Sequence, residues 1–268
     1  MATALLYDQK ALVTGASSGI GAATARALAA AGAAVLVNYH SDADGAQRVV
    51  EAIERQGGKA LAFQADVSQE DEVKGMFAAM CRAFGTLDIL VSNAGIQKDG
   101  PLIEMALEDW AKVININLTG AFLCAREAAK EFLRRGPRPA VSEATGKIIF
   151  TSSVHETIPW ACRVNYATSK GGLSMFMQSI AQELAPHKIR VNSIAPGAIK
   201  TDINREAWET PEAKAKLLEL IPYGRVGEAE DVARTVVWLA SDESDYITGA
   251  SLAIDGGMLL YPAFHQDG

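Results

Sequence analysis

Lys10-Ala11-Leu12-Val13-Thr14 runs straight into Gly15-Ala16-Ser17-Ser18-Gly19-Ile20-Gly21, and an alanine-rich stretch continues to Ala31. The first five residues read as a short buried strand, and Ile20–Ala31 reads as a helix that Gly32 ends. Each glycine between them has a separate task. Gly15 makes the tight turn, Gly19 lets a pyrophosphate reach the backbone, and Gly21 lets the helix pack on the strand. The free N–H groups and positive end of a helix then hold phosphate, with Ser17, Ser18 and Ile20 in the turn. A strand, a glycine turn and a helix in this order predict a nucleotide site.

Outward from that unit the same alternation repeats. Ala33–Asn38, Lys59–Gln64, Leu87–Val91, Lys147–Thr151, Ile189–Ile194 and Ser251–Ile254 read as six further strands. Ala43–Gln56, Gln69–Phe84, Leu107–Arg135, Asn165–Leu184 and Glu228–Ser241 read as helices between them. Apolar strands alternating with helices predict an α/β fold: a single-domain, Rossmann-type, doubly wound parallel sheet of seven strands with helices on both faces. Residues 134–146 read as a surface loop. Residues 198–227 are too long for an ordinary connection and are expected to form a lid or substrate loop.

Composition narrows the function classes. Among 268 residues, 25 Lys and Arg against 32 Asp and Glu leave a net charge of −7. That balance disfavours nucleic acid and anionic membrane surfaces as partners. Cys81, Cys124 and Cys162 lie far apart without ligand spacing, so neither a disulfide framework nor a metal site is expected. They read as small buried hydrophobes in a reducing, cytoplasmic setting. No apolar run reaches membrane-span length, and MATALLYDQK lacks the basic start of a signal peptide.

Tyr166 and Lys170 are four residues apart on an expected helix and share its face. Ser153 follows the fifth strand, thirteen residues before Tyr166. Oxidising an alcohol by hydride transfer needs a base for the hydroxyl proton. A free phenol, with a pKa near 10, is a weak one at neutral pH. An adjacent ammonium favours the phenolate, so Lys170 is expected to lower that value while also bonding the nicotinamide ribose. Ser153 is expected to hold the substrate oxygen. Asn117, poorly suited to mid-helix, is expected to hold a proton-relaying water towards Lys170.

The G-x3-G-x-G spacing after a Thr resembles the short-chain dehydrogenase/reductase family. Its tetrad of Asn, Ser, Tyr and Lys maps onto Asn117, Ser153, Tyr166 and Lys170. The resemblance implies that the glycine turn holds the adenosine side of NAD or NADP. It implies that Asp66 and Val67 contact adenine and that Asn93-Ala94-Gly95 is the family's strand-end motif, with Ser92 replacing the usual first Asn. It also implies that Pro196, Gly197, Ile199 and Thr201 hold the nicotinamide carboxamide. At the end of the second strand, Asn38-Tyr39-His40 carries no carboxylate to repel a 2′-phosphate, and His40 is the one candidate cation to pair with it. Use of both coenzymes is therefore expected.

SSVHETIPW (152–160), NYATSKGG (165–172), RVNSIAPGAI (190–199) and YPAF (261–264) resemble bacterial glucose 1-dehydrogenases. The implied reaction takes a hydride from C1 of β-D-glucose, or a related aldose, and gives the 1,5-lactone. Ser153, Tyr166, His155 and Gln97 are the expected substrate contacts, with Trp160 beside them. Gln97, His40 and Ala161-Cys162-Arg163 depart from that pattern. A 3-oxoacyl-(acyl-carrier-protein) reductase is the alternative enzyme, for which Arg134, Arg135 and Arg138 would offer a basic docking patch. A non-catalytic NAD(P)-sensing protein would have no need of the tetrad. Relatives pair subunits through the two long helices and the last strand, so a homotetramer is expected, with YPAF reaching a neighbouring subunit.

Overall fold

Leu12 and Val13 point to opposite sides of one strand, and both are fully buried. That double burial recurs along the central strands and requires cover on both faces. The structure, a computed structural model, describes residues 4–260, except the side chains of Asp202 and Ile203. The YPAF segment lies outside the described residues.

The strands are β1 (Lys10–Val13), β2 (Ala34–Tyr39), β3 (Lys59–Gln64), β4 (Ile89–Ser92), β5 (Gly146–Thr151), β6 (Ile189–Pro196) and β7 (Ser251–Ile254). They form one sheet in the order β3-β2-β1-β4-β5-β6-β7, parallel at every pairing. The helices are α1 (Gly19–Ala30), α2 (Ala43–Arg55), α3 (Glu70–Phe84), α4 (Leu107–Ile114), α5 (Gly120–Arg135), α6 (Val164–Leu184), α7 (Pro211–Leu218) and α8 (Ala229–Ala240). On one face Leu12, Leu90, Ile148 and Val191 pack with Met76 of α3, Leu123 of α5 and Met177 of α6. On the other, Val13, Val35, Val91 and Ile194 pack with Leu28 of α1, Ile53 of α2 and Val236 of α8. Each such side chain contributes roughly 1.5–3 kcal/mol on burial.

The expected sheet and both helical layers are present, and three expectations are corrected. The stretch from Leu107 to Arg135 is not one regular helix. Between α4 and α5, residues Asn115–Thr119 form a π-helical turn, closed by a Gly120 N–H bond to the Asn115 carbonyl. Residues 198–227, expected to form a lid or substrate loop, carry α7 and a helical turn at Asp202–Ala207.

Loop 134–146 is not a free basic patch, because its charges are spent inside the chain. Arg134 pairs with Glu131 at 2.7 Å, Arg135 bonds the Thr145 carbonyl and pairs with Asp88, and Arg138 reaches Asp88 and Asp8. Finally, Cys124 is buried and burial pushes its thiol up to about 12, but Cys162 is exposed with φ of 64°.

The sheet grows outward from β1 in two directions, to β2 and to β4. Their carboxyl ends therefore leave a crevice where ligands bind in open α/β sheets.

Candidate active site

The glycine turn is built by three polar side chains acting across strands. Thr14 Oγ1 accepts from the backbone N–H groups of Asn93 (2.9 Å) and Ala94 (3.0 Å). Asn93 Nδ2 donates to the carbonyls of Thr14 and Gly15, both at 3.0 Å. Asn38 Oδ1 accepts from Gly15 N–H at 3.1 Å, while its amide donates to Ala65 O. Asn38 and Asn93 thus fasten the turn to the ends of β2, β3 and β4. A Cβ on Gly21 would meet the Gly15 carbonyl and lie 2.6 Å from Asn93 Nδ2, so only glycine fits.

A cleft of about 1210 Å³ opens over these strand ends. Gly15, Ser17, Ser18, Gly19, Ile20, Gly21, Asn38, His40, Asp66, Val67, Asn93, Ala94 and Gly95 line one end. Pro196, Gly197, Ile199 and Thr201 line the floor, and Gln97, Ser153, His155, Tyr166 and Lys170 the other end. The sequence-predicted residues that line it therefore share one cavity, while Asn117 is buried behind the Gly95–Ile96 wall.

The phosphate end fits a dinucleotide on its own evidence. The first turn of α1 carries no acidic residue and no side-chain cap, which leaves its N–H groups open to an anion. The first turns of α2, α3 and α8, in contrast, contain Asp44, Glu70 and Glu230. The Ser152 and Thr151 hydroxyls in the cleft are buried without partners in the chain. His40, mostly exposed, stands 3.9 Å from Asp66.

At the reacting end, β5 delivers Ser153 and α6 delivers Tyr166 and Lys170. The Ser153 hydroxyl accepts from His155 N–H at 3.2 Å and stands on the phenol side of the cleft, where it favours the ionised form of Tyr166. Lys170 Nζ donates to the Thr151 carbonyl at 2.8 Å and lies 5.5 Å from the centre of the Tyr166 ring. Burial raises the Tyr166 pKa, against the lowering effect of the nearby Ser153 hydroxyl. Burial also lowers Lys170 to about 8, opposed by Glu156.

Asn117 sits in the π-helical turn. Its Oδ1 accepts from Ile96 N–H at 2.9 Å, and its Nδ2 donates to Ile96 O at 3.0 Å and Ser169 Oγ at 3.1 Å. Both amide protons are committed to the chain, so the side chain fixes the segment after β4 instead of offering a donor to the cleft. π-helical turns are frequent at functional sites, and this one carries Asn117.

Sequence reading missed Asn165, which is fully buried, caps Tyr166 N–H at 2.7 Å and donates to Lys98 O at 2.9 Å. A polar residue beside Tyr166 at a poor helix position was the available signal. It also missed Asn204, which holds Thr201 at 2.9 Å and Trp208 at 3.1 Å. Among the described residues no cluster of His, Cys, Asp or Glu could hold a metal, and no helix is long and apolar enough to cross a membrane.

Residues 15–259 match the profile of the family described as enoyl-(acyl carrier protein) reductase. A 3β-hydroxysteroid dehydrogenase of Eggerthella lenta is 48% identical over 97% of both chains. A short-chain dehydrogenase of Burkholderia cenocepacia in complex with NADP superposes with a TM-score of 0.86 at 36% identity, covering 95% of this chain and 99% of that one. The chain belongs to the short-chain dehydrogenase/reductase family. Glucose 1-dehydrogenase 2 of Bacillus subtilis is 41% identical over 96% of this chain and 97% of its own. As a short-chain dehydrogenase/reductase, the chain is an NAD(P)-dependent oxidoreductase, and the cleft described above has the shape and polarity for that coenzyme.

Proposed function

We propose that the protein interconverts a secondary alcohol and its ketone on an apolar, ring-bearing substrate of the hydroxysteroid kind. Bound NAD(P) supplies the hydride acceptor or donor. In the proposed tetrad, Tyr166 exchanges the proton with the substrate oxygen and Ser153 holds that oxygen. Lys170 keeps a positive charge behind the phenol, and Asn117 fixes the wall opposite. A phenol whose pKa burial raises is protonated at neutral pH, which suits it to donate a proton during ketone reduction.

The observation that carries the substrate class is the lining beyond Tyr166. Ile158, Trp160, Leu217, Leu220, Met258 and Leu260 all line the same cleft as Tyr166. Apolar walls with few polar groups select apolar ligands. The first relative named above acts on 3β-hydroxysteroids, in keeping with this reading.

A second reading is oxidation of β-D-glucose or a related aldose at C1. Gln97 and His155 at the cleft favour it, as does the Bacillus subtilis relative. A panel of 3β-hydroxysteroids, glucose, other aldoses and acetoacetyl thioesters with both coenzymes, followed at 340 nm, separates the readings. Steroid turnover with kcat/KM at least about a hundredfold above glucose is expected. The reverse order removes the steroid reading.

We also propose a cytoplasmic homotetramer. Phe122 and Leu133 of α5 and Met175 of α6 expose large apolar area, which suits burial between copies. A sedimentation mass near that of one chain at micromolar concentration would refute this.

A further inference from the structure

The Ala161-Cys162-Arg163 segment, which departs from the glucose 1-dehydrogenase pattern, meets the loop after β4 just beyond Gln97. Arg163 and Asp99 form an ion pair at 2.7 Å, which joins the loop after β4 to the loop after β5. The same guanidinium lies 4.1 Å from the Trp160 ring centre. Trp160 in turn stacks on His155, with centres 4.1 Å apart and planes 18° apart. Both rings meet the Tyr166 ring edge-on at 6.4 Å. A main-chain bond from Gly100 N–H to the Cys162 carbonyl, 2.9 Å, closes the same junction.

This stack has a direction. His155 Nδ1 lies 3.1 Å from the Ile158 carbonyl, so it carries the proton and the ring is fixed at that edge. Burial lowers the His155 pKa against the Ile158 bond, and the charge of Arg163 adds to the lowering, so the neutral imidazole is favoured. A neutral imidazole stacked on indole completes a wall of the cleft beside the reacting phenol. Nothing in the general chemistry of hydride transfer requires Arg163 or Asp99, which stand outside the tetrad and the glycine turn.

We propose that Arg163 is a positioning residue that, through Asp99 and Trp160, locks the two loops together and holds the His155–Trp160 wall against Tyr166. The wall sets how the substrate carbinol lies against the phenol. Loss of the lock loosens substrate placement and leaves the coenzyme end and the tetrad in place. The inference rests on the alcohol-oxidoreductase reading only for its kinetic consequence.

The test compares Arg163→Ala, Arg163→Lys and Asp99→Asn with the parent. With the best substrate of the panel, Arg163→Ala is expected to raise KM about tenfold while kcat falls less than about threefold, in line with losing a partly buried cation–π contact and its ion pair. Coenzyme affinity stays within about threefold. Asp99→Asn leaves the start of α6 untouched and gives a smaller rise in KM. Arg163→Lys retains the ion pair but not the planar stack, and falls between.

A second readout needs no substrate. Trp160 emission is taken as the difference between each protein and its Trp160→Phe counterpart. It moves to longer wavelength in Arg163→Ala as the indole is freed to water. An unchanged KM or an unchanged Trp160 emission overturns the proposal. So does a parallel loss of coenzyme affinity and melting temperature, which would make Arg163 only a residue of the helix start. If no substrate turns over, the emission experiment still decides the lock.

Discussion

The ammonium of Lys170 donates to the main-chain carbonyl of Thr151 at 2.8 Å, and so ties the middle of α6 to the end of β5. The bond commits the charged end of the lysine to the scaffold, while its distance to the Tyr166 ring centre is 5.5 Å. Burial therefore dominates the phenol in the protein alone and holds its pKa above 10. In the coenzyme-free protein, a difference titration at 295 nm between the parent and Tyr166→Phe should show the extra phenol ionising above pH 10. Ionisation below pH 9 would contradict this account. With coenzyme and substrate, Tyr166→Phe should lose about 10²–10⁴-fold in kcat while coenzyme binding persists.

Gly21 and Gly75 are both helical glycines with opposite surroundings. A Cβ at Gly21 would press on the Gly15 carbonyl and on Asn93 Nδ2, the groups that shape the phosphate turn. A Cβ at Gly75 of α3 meets nothing within 4 Å. Gly21→Ala should weaken coenzyme binding at least about thirtyfold, roughly 2 kcal/mol. Gly75→Ala should leave binding unchanged and stabilise the fold by about 0.5–1 kcal/mol. Coenzyme fluorescence titration and urea melts check both. Equal effects at the two positions would defeat the argument.

Asn117 satisfies both backbone groups of Ile96 from within the π-helical turn. Removing the side chain leaves a part-buried donor and acceptor unpaired, each at the low end of the about 1–3 kcal/mol that a buried group costs. Asn117→Ala should therefore lower the urea midpoint by the equivalent of about 2 kcal/mol and reduce kcat. Asn117→Asp keeps the acceptor to Ile96 N–H, loses the amide donor and should fall between. An Asn117→Ala protein of parental stability would show that the side chain does not brace this wall.

How much of this was legible depends on whether a property is local. Tyr166 and Lys170 share a face because helical spacing alone guarantees it, and the glycine turn is readable because each glycine answers a local steric demand. The π-helical turn at 115–119 was not readable, since one residue more per turn leaves no mark in an apolar pattern. The balance at the phenol has the same origin. It follows from how far the cleft shields the half-buried Tyr166 from water, a tertiary quantity. Likewise Arg138 looks like a free surface charge in sequence, but Asp88 lies fifty residues away in the chain and 2.9 Å away in space. The stack of His155, Trp160 and Arg163 depends on the path of an irregular loop, which periodicity does not encode.

Lys147 gives a prediction about stability at the opposite end of the sheet. It is almost wholly buried, donates to Gln9 Oε1 at 2.9 Å and Ser142 Oγ at 2.5 Å, and lies 3.9 Å from Asp242. Burial lowers its pKa from 10.5 to about 8, with Asp242 and Asp88 opposing and Arg190 and Arg135 reinforcing the shift. The folded state thus binds the proton less tightly than the unfolded chain does. Below pH 8 both states are charged and the folded protein bears the full cost of the buried ammonium. Between about pH 8 and 10.5 the folded lysine is neutral while the unfolded one is still charged, so stability contributed by this group rises with pH. The gain over that window is about 3 kcal/mol. Lys147→Met lacks the titrating group, and the other groups cancel to first order in the comparison. Urea melts of the two proteins at pH 7.5 and 10 should therefore show the parent gaining on the variant as pH rises. If the difference between them stays constant across that window, the Lys147 pKa is not depressed.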